Sequence, residues 1–233
     1  MQSERDYMRR SGNVQALSAE AIQQSAIATN KVLRNTYLLL SMTLLFSAVT
    51  AGISMALALP PMTYLISVGV AMVAGIFVLP RTANSAAGIG VIFLITGALG
   101  LGLGPLLSMY LALPKGPEIV GTAMGGTGVI FLALSGYALT SKRDFSFMGG
   151  FLFAGFMVVL IAALANIFLA IPALSLAVSA GIIMLMSGFI LFDTSRIING
   201  GETNYIMATY GLYLSIFNIF INLLSLLGVM SDE

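Results

Sequence analysis

Asp193 is the residue of this chain whose placement most invites chemistry. It lies near the polar end of an apolar helix, three residues before Arg196, and it is the only acidic residue set within or against an apolar run. A carboxylate near hydrocarbon costs about 2.5–3.5 kcal/mol on insertion scales, so it is paired, protonated or hydrated. Two cations stand as alternative partners: Arg196, one turn on, and Arg81, at the end of the second apolar stretch. Competition between desolvation and a nearby guanidinium is how a proton-sensitive latch is made. Downstream, Gly211, Ser215, Asn218, Asn222 and Ser225 recur at spacings of 4, 3, 4 and 3. That spacing places them on one helical face. A polar stripe on a membrane helix faces protein, because lipid cannot satisfy it. Asn166, from an earlier apolar stretch, joins Asn218 and Asn222 as an expected interhelical hydrogen-bonding residue.

Other chemistry is poorly supplied. The chain has no Cys and no His, which removes thiolate nucleophiles, Cys-based metal sites and the commonest general base. No catalytic triad, paired carboxylates or zinc signature occurs, so neither enzyme activity nor a cofactor or metal is expected. The glycine-rich run Gly121–Gly128 lacks the Gly-Lys-Ser/Thr ending of a phosphate loop and lies in an apolar helix. A net charge of +1 offers no footing for nucleic acid.

The elements that must position these residues are membrane helices. Of 233 residues, 58% are hydrophobic and only 8% charged, against about 25% charged in a soluble domain. Seven apolar stretches follow a polar N-terminal segment, each near the ~20 residues that cross a bilayer. They fall at about Asn35–Leu59, Met62–Leu79, Ala86–Leu111, Glu118–Leu139, Phe147–Ala170, Ala173–Ile197 and Tyr205–Val229. The second is short and closes at Pro80. Arg5, Arg9, Arg10, Lys31, Arg34, Arg81, Lys142, Arg143 and Arg196 all lie on one side, and only Lys115 on the other. The positive-inside rule then puts the N-terminus in the cytoplasm and the C-terminus outside.

Three outer turns share a signature: Leu57-Ala58-Leu59-Pro60, Leu111-Ala112-Leu113-Pro114 and Leu169-Ala170-Ile171-Pro172. Each marks a helix end followed by a proline that cannot continue it. The pairs Gly100/Gly104 and Gly121/Gly125 are small residues four apart, which read as helix-packing positions. Residues 1–30 are expected to form a solvated, poorly ordered tail, with a weak amphipathic helix over Val14 to Ile27 as the alternative. Residues 31–233 form the membrane domain.

Several stretches carry a resemblance. They are Lys31-Val32-Leu33-Arg34-Asn35-Thr36-Tyr37, Lys142-Arg143-Asp144-Phe145-Ser146-Phe147, Asn166-Ile167-Phe168 and Phe192-Asp193-Thr194-Ser195. Two more are Gly200-Gly201-Glu202-Thr203-Asn204-Tyr205-Ile206 and Asn218-Ile219-Phe220-Ile221-Asn222-Leu223-Leu224. The chain from about Asn30 onward resembles the BAX inhibitor, or TMBIM, family. The resemblance implies an all-α membrane fold with six helices around a central seventh. It also implies a bacterial inner-membrane protein that binds and modulates the FtsH-type membrane AAA protease. Some family members are described as proton-sensitive calcium leak channels gated by two Asp residues. Asp193 matches the first, while Ser215 in Tyr213-Leu214-Ser215 occupies the second position. A serine cannot share a proton as a second carboxylate does, and it leaves fewer charged oxygens for calcium. A calcium or proton leak through the bundle is therefore the rival reading.

Overall fold

The computed structural model describes residues 2–141 and 143–231, with side chains described for 27–141 and 143–230. Among the described residues every regular element is a helix. α1 covers Gln2–Ala56, α2 Met62–Val73, α3 Leu79–Thr82, α4 Ala86–Leu111, α5 Gly116–Ser141, α6 Gly149–Leu169, α7 Pro172–Ile198 and α8 Tyr205–Ser231. A π-turn, Ala74–Val78, joins α2 to α3, and a 3₁₀ turn, Ser146–Met148, leads into α6. Seven segments are long and apolar enough to span a membrane: Ile27–Ala56, Met62–Thr82, Ala86–Leu111, Gly116–Ser141, Ser146–Leu169, Pro172–Ile198 and Tyr205–Met230. The expected spans are therefore present, and their ends lie within a few residues of those read from hydropathy, the start of the first excepted. The side chains of an amphipathic Val14–Ile27 face lie, up to residue 26, outside the described residues, as do Lys142 and the last two residues.

The second span departs from expectation at Pro80. The helix does not stop there; it continues to Thr82. A proline removes one ladder donor and crowds the preceding turn. Here the ladder absorbs that by widening into the π-turn just before it. Arg81 reaches back to the Phe77 carbonyl, supplying a donor where the ladder is disturbed.

α8 is the least exposed of the helices among the described residues. From Tyr205 to Gly228 none of its residues is fully exposed. It packs against α1, α4, α5 and α7, while α2 lies along α4 and α6 leans on α7. Polar groups tie α8 to the centre. Tyr213, 1% exposed, has its hydroxyl 2.6 Å from Ser47 Oγ, which itself donates to the Thr96 carbonyl at 2.7 Å. One hydroxyl pair thus joins α8, α1 and α4. Thr209 Oγ1 donates to the Thr36 carbonyl at 3.2 Å, and Tyr37 bonds Ser135, so the Lys31–Tyr37 run binds α1 to both α8 and α5.

α1 and α4 approach closely because small residues face each other. A Cβ on Gly100 would fall 2.5 Å from the Ser47 carbonyl, and one on Gly104 would strike Ser54. Pro105 lies inside α4, and its missing N–H orphans the carbonyl four residues earlier, that of Leu101. Ser54 Oγ donates to that carbonyl at 2.7 Å. Gly100 and Gly104 are packing residues, as their spacing suggests. Gly121 and Gly125 meet no atom within 4 Å: α5 turns them outward, away from α8.

The three shared turns are not identical. Ala58 and Ala170 are left-handed, at φ 50° and 49°, whereas Ala112 ends its helix in ordinary right-handed geometry.

Candidate functional site

Asp193 lies on α7 five residues before its C-terminus, on the face that meets α8. The close approach depends on Gly211: a Cβ there would be 2.7 Å from Asp193 Oδ2. Among the described residues the carboxyl has no hydrogen bond and no cation within ion-pair distance. Neither expected partner forms a salt bridge with it, although the Arg196 charge is near enough to act on the carboxyl. Arg81 is at the exposed end of the second span, bonded to Phe77. Arg196 is drawn the other way. Its guanidinium lies 3.6 Å from Glu202, donates to the Gly201 carbonyl at 3.1 Å, and sits 5.5 Å from the centre of the Phe192 ring.

That diversion is the work of the Gly200–Tyr205 run. Gly200 takes φ 74°, a left-handed helix stop that suits glycine. The Gly201 N–H closes onto the Arg196 carbonyl at 2.8 Å, bringing Glu202 back over Arg196. Asn204 caps α8: its Oδ1 accepts from the Ile206 and Met207 N–H groups at 2.9 and 3.1 Å. Its Nδ2 donates to the Ala83 carbonyl and to Asn84 Oδ1 at 3.0 and 2.8 Å, tying this loop to the end of the second span.

The neighbouring loop is fixed from α7. Ser195 Oγ accepts from the Phe145 N–H at 2.9 Å and donates to the Arg143 carbonyl at 3.2 Å. Asp144 caps the 3₁₀ turn by accepting from the Ser146 N–H at 2.8 Å. The Ser146 hydrogen bonds hold the Asp144 carboxyl below its usual range.

Asp193, Arg196, Ser215 and Asn218 share one cavity of about 690 Å³, bounded by α2, α4, α6, α7 and α8. Its wall is otherwise largely apolar, with Tyr64 and Tyr210 among the exceptions. Ser215 Oγ makes no hydrogen bond among the described residues. Asn218 Nδ2 donates to the Leu214 carbonyl and Asn222 Nδ2 to the Asn218 carbonyl, both at 2.8 Å. These two are bonded along their own helix rather than across helices. Asn166 does bond across: its Nδ2 donates to Ser175 Oγ on α7 at 2.6 Å, and its Oδ1 accepts from the Ile171 N–H at 3.0 Å. It lies at the opposite end, beside a second cavity of about 400 Å³ that includes Ser225. So the structure gathers Asp193, Arg196, Ser215 and Asn218, and leaves Arg81 and Asn166 apart. Sequence reasoning missed Glu202 as the partner of Arg196, although its place in a Gly-Gly-Glu-Thr-Asn turn, six residues on, was a usable signal. Among the described residues no three His, Cys, Asp or Glu side chains converge as a metal site.

A helical bundle with seven membrane-length apolar helices and a carboxyl facing a cavity between helices defines a class of polytopic membrane protein. Residues 29–232 match the family model Bax1-I, described as inhibitor of apoptosis-promoting Bax1, and the chain belongs to that family. It is 50% identical to the Escherichia coli protein named modulator of FtsH protease YccA, over 93% of this chain and 98% of that one. An uncharacterised membrane protein of Vibrio cholerae is 49% identical over 90% of this chain and 94% of its own. An uncharacterised protein of Pseudomonas aeruginosa is 46% identical, covering 90% and 96%.

Proposed function

We propose that this chain is a multi-pass protein of the bacterial inner membrane that binds and modulates an FtsH-type AAA protease. The observation that carries this reading is the 50% identity, end to end, with the protein named as a modulator of that protease. The construction of the bundle agrees with it. A membrane protease extracts its substrates, and extraction exposes backbone and apolar surface together. Hydroxyl bonds joining α1, α4, α5 and α8 make such a chain slow to pull apart, so it occupies the protease. In this reading residues 1–30 are a cytoplasmic tail, residues 31–233 the membrane domain, and the C-terminus is periplasmic. The charge asymmetry between the two sides supports that orientation. The test is affinity purification of the tagged chain from membranes, with the decay of a second membrane substrate followed on overproduction. The expected outcome is recovery of the protease and slower decay of the substrate. Absence of both would overturn the reading.

One observation favours a second reading: Asp193 and Ser215 face a common cavity between helices. A calcium or proton leak through the bundle would use Asp193 as its sensing group. Asp193→Asn should then abolish the pH dependence of flux in proteoliposomes, and unchanged dependence would exclude Asp193. If wild-type vesicles show no flux, this reading fails, and Ser215→Asp tests whether a second carboxylate restores it.

A further inference from the structure

The cavity beside Asp193 is bordered on one side by α2, and its rim reaches the outer surface of the bundle. Met72 and Ile76, both lining residues, are 56% exposed, and Phe156 across from them is 40% exposed. Met72 is the eleventh residue of a 21-residue span, so this rim lies near mid-bilayer. What surrounds it there is lipid, not water. The inner wall carries apolar side chains such as Val68, Leu99 and Phe189, and a volume of about 690 Å³ falls in the range of small-molecule sites.

The polar end of the cavity is lined by Asp193 and Arg196. Arg196 holds Glu202 and the Gly201 carbonyl, so the Asp193 carboxyl has neither a hydrogen bond nor a salt bridge among the described residues. Its depth matters. α7 has 27 residues, about 40 Å of helix at 1.5 Å per residue, against a hydrocarbon core of about 30 Å. That leaves roughly 5 Å of helix beyond the core at each end. Asp193 is about 7.5 Å in from the helix end, so its carboxyl lies within about 3 Å of where hydrocarbon meets headgroups.

We propose that this cavity is a lipid-binding crevice, taking the acyl chain of a phospholipid through the gap at Met72, Ile76 and Phe156 while the lipid's primary ammonium group meets Asp193. The apolar wall receives the chain. The Asp193 carboxyl selects an ethanolamine-type head over a glycerol-type head, because only the former brings a cationic hydrogen-bond donor. The site is independent of protease binding, so its failure leaves that reading untouched.

The chain contains no tryptophan, which allows a single reporter. The full-length Phe189→Trp variant is reconstituted in vesicles containing chain-brominated phosphatidylethanolamine or, at equal fraction, chain-brominated phosphatidylglycerol. Phe153→Trp, on the 65% exposed outer side of α6, is the surface control. Quenching at Phe189→Trp by the brominated ethanolamine lipid should be at least about twice that by the glycerol lipid, and Asp193→Asn should remove the difference. The control should respond equally to both. Quenching by aqueous acrylamide instead of bromolipid would overturn the proposal, since the cavity would then hold water. Equal quenching by both lipids would overturn the headgroup assignment. If Phe189→Trp does not assemble, Phe156→Trp at the rim reports the same contrast.

Discussion

Asp193 and Gly211 form one unit: the carboxyl reaches α8 only because its neighbour has no side chain. Gly211→Ala should therefore force α7 and α8 apart or push Asp193 from its rotamer. The expected loss is about 1–3 kcal/mol, read as a lower midpoint of thermal unfolding in detergent. Gly90→Ala, where nothing lies within 4 Å, should instead be neutral or gain up to about 1 kcal/mol. Ser54 allows a sharper test. Ser54→Ala strips the Leu101 carbonyl of its donor, at an expected cost of about 1–2 kcal/mol. Pro105→Ala restores an N–H four residues after Leu101, so the double variant should lose markedly less than the sum of the two single losses. A cycle that adds to zero coupling would show that Ser54 does not serve that carbonyl. Asp193 and the polar stripe were legible in sequence because a charge or an amide inside an apolar run is conspicuous. The Ser54–Leu101 bond was not, since serine is common in membrane helices and its partner is a backbone atom 47 residues away.

At the scale of elements, span positions follow from hydropathy, because a bilayer fixes how much apolar helix is needed. What the sequence concealed is how the ladder bends. Pro80 was expected to end a helix and instead sits beyond a π-turn, because the widened ladder accommodates the proline's missing donor and its crowding of the preceding turn. The outer turns show a similar limit. Three matching tetrapeptides suggested one geometry, yet only Ala58 and Ala170 enter the left-handed region, where an L-residue loses roughly 1–2 kcal/mol. Glycine suits that position. Ala170→Gly and Ala58→Gly should each raise stability by about 0.5–1 kcal/mol after the entropy of glycine is counted. Ala112→Gly, starting from right-handed geometry, should lower stability or leave it unchanged. Thermal unfolding of the three variants side by side measures this, and a gain at Ala112 equal to the others would contradict the strain argument.

For the whole molecule the decisive asymmetry is between its two ends. The first apolar stretch begins only at about Asn35, so a long polar segment precedes the first crossing. At the other end α8 runs to Ser231, leaving two residues beyond it. Nine of the ten basic residues lie on the side of the N-terminus, so a reporter fused after Glu233 should read as periplasmic; a cytoplasmic readout would require an even number of crossings. An ATP-driven protease must grip a segment it can thread before it pulls on a bundle. In the proposed orientation the polar N-terminal segment supplies that length on the cytoplasmic side, and a protease engages most readily where few contacts have to be broken. The seven helices behind it resist, because removing one exposes apolar surface and hydrogen-bonded backbone together. Deleting most of residues 1–24 should therefore lengthen the half-life of the chain while leaving it bound to the protease. The occupied protease should then clear other membrane substrates more slowly than with the full-length chain. Pulse-chase of both chains, with co-purification of the protease and decay of a second substrate, checks each step. Equal half-lives would remove the tail as the point of grip, and loss of co-purification would move the docking surface from the bundle into the tail itself.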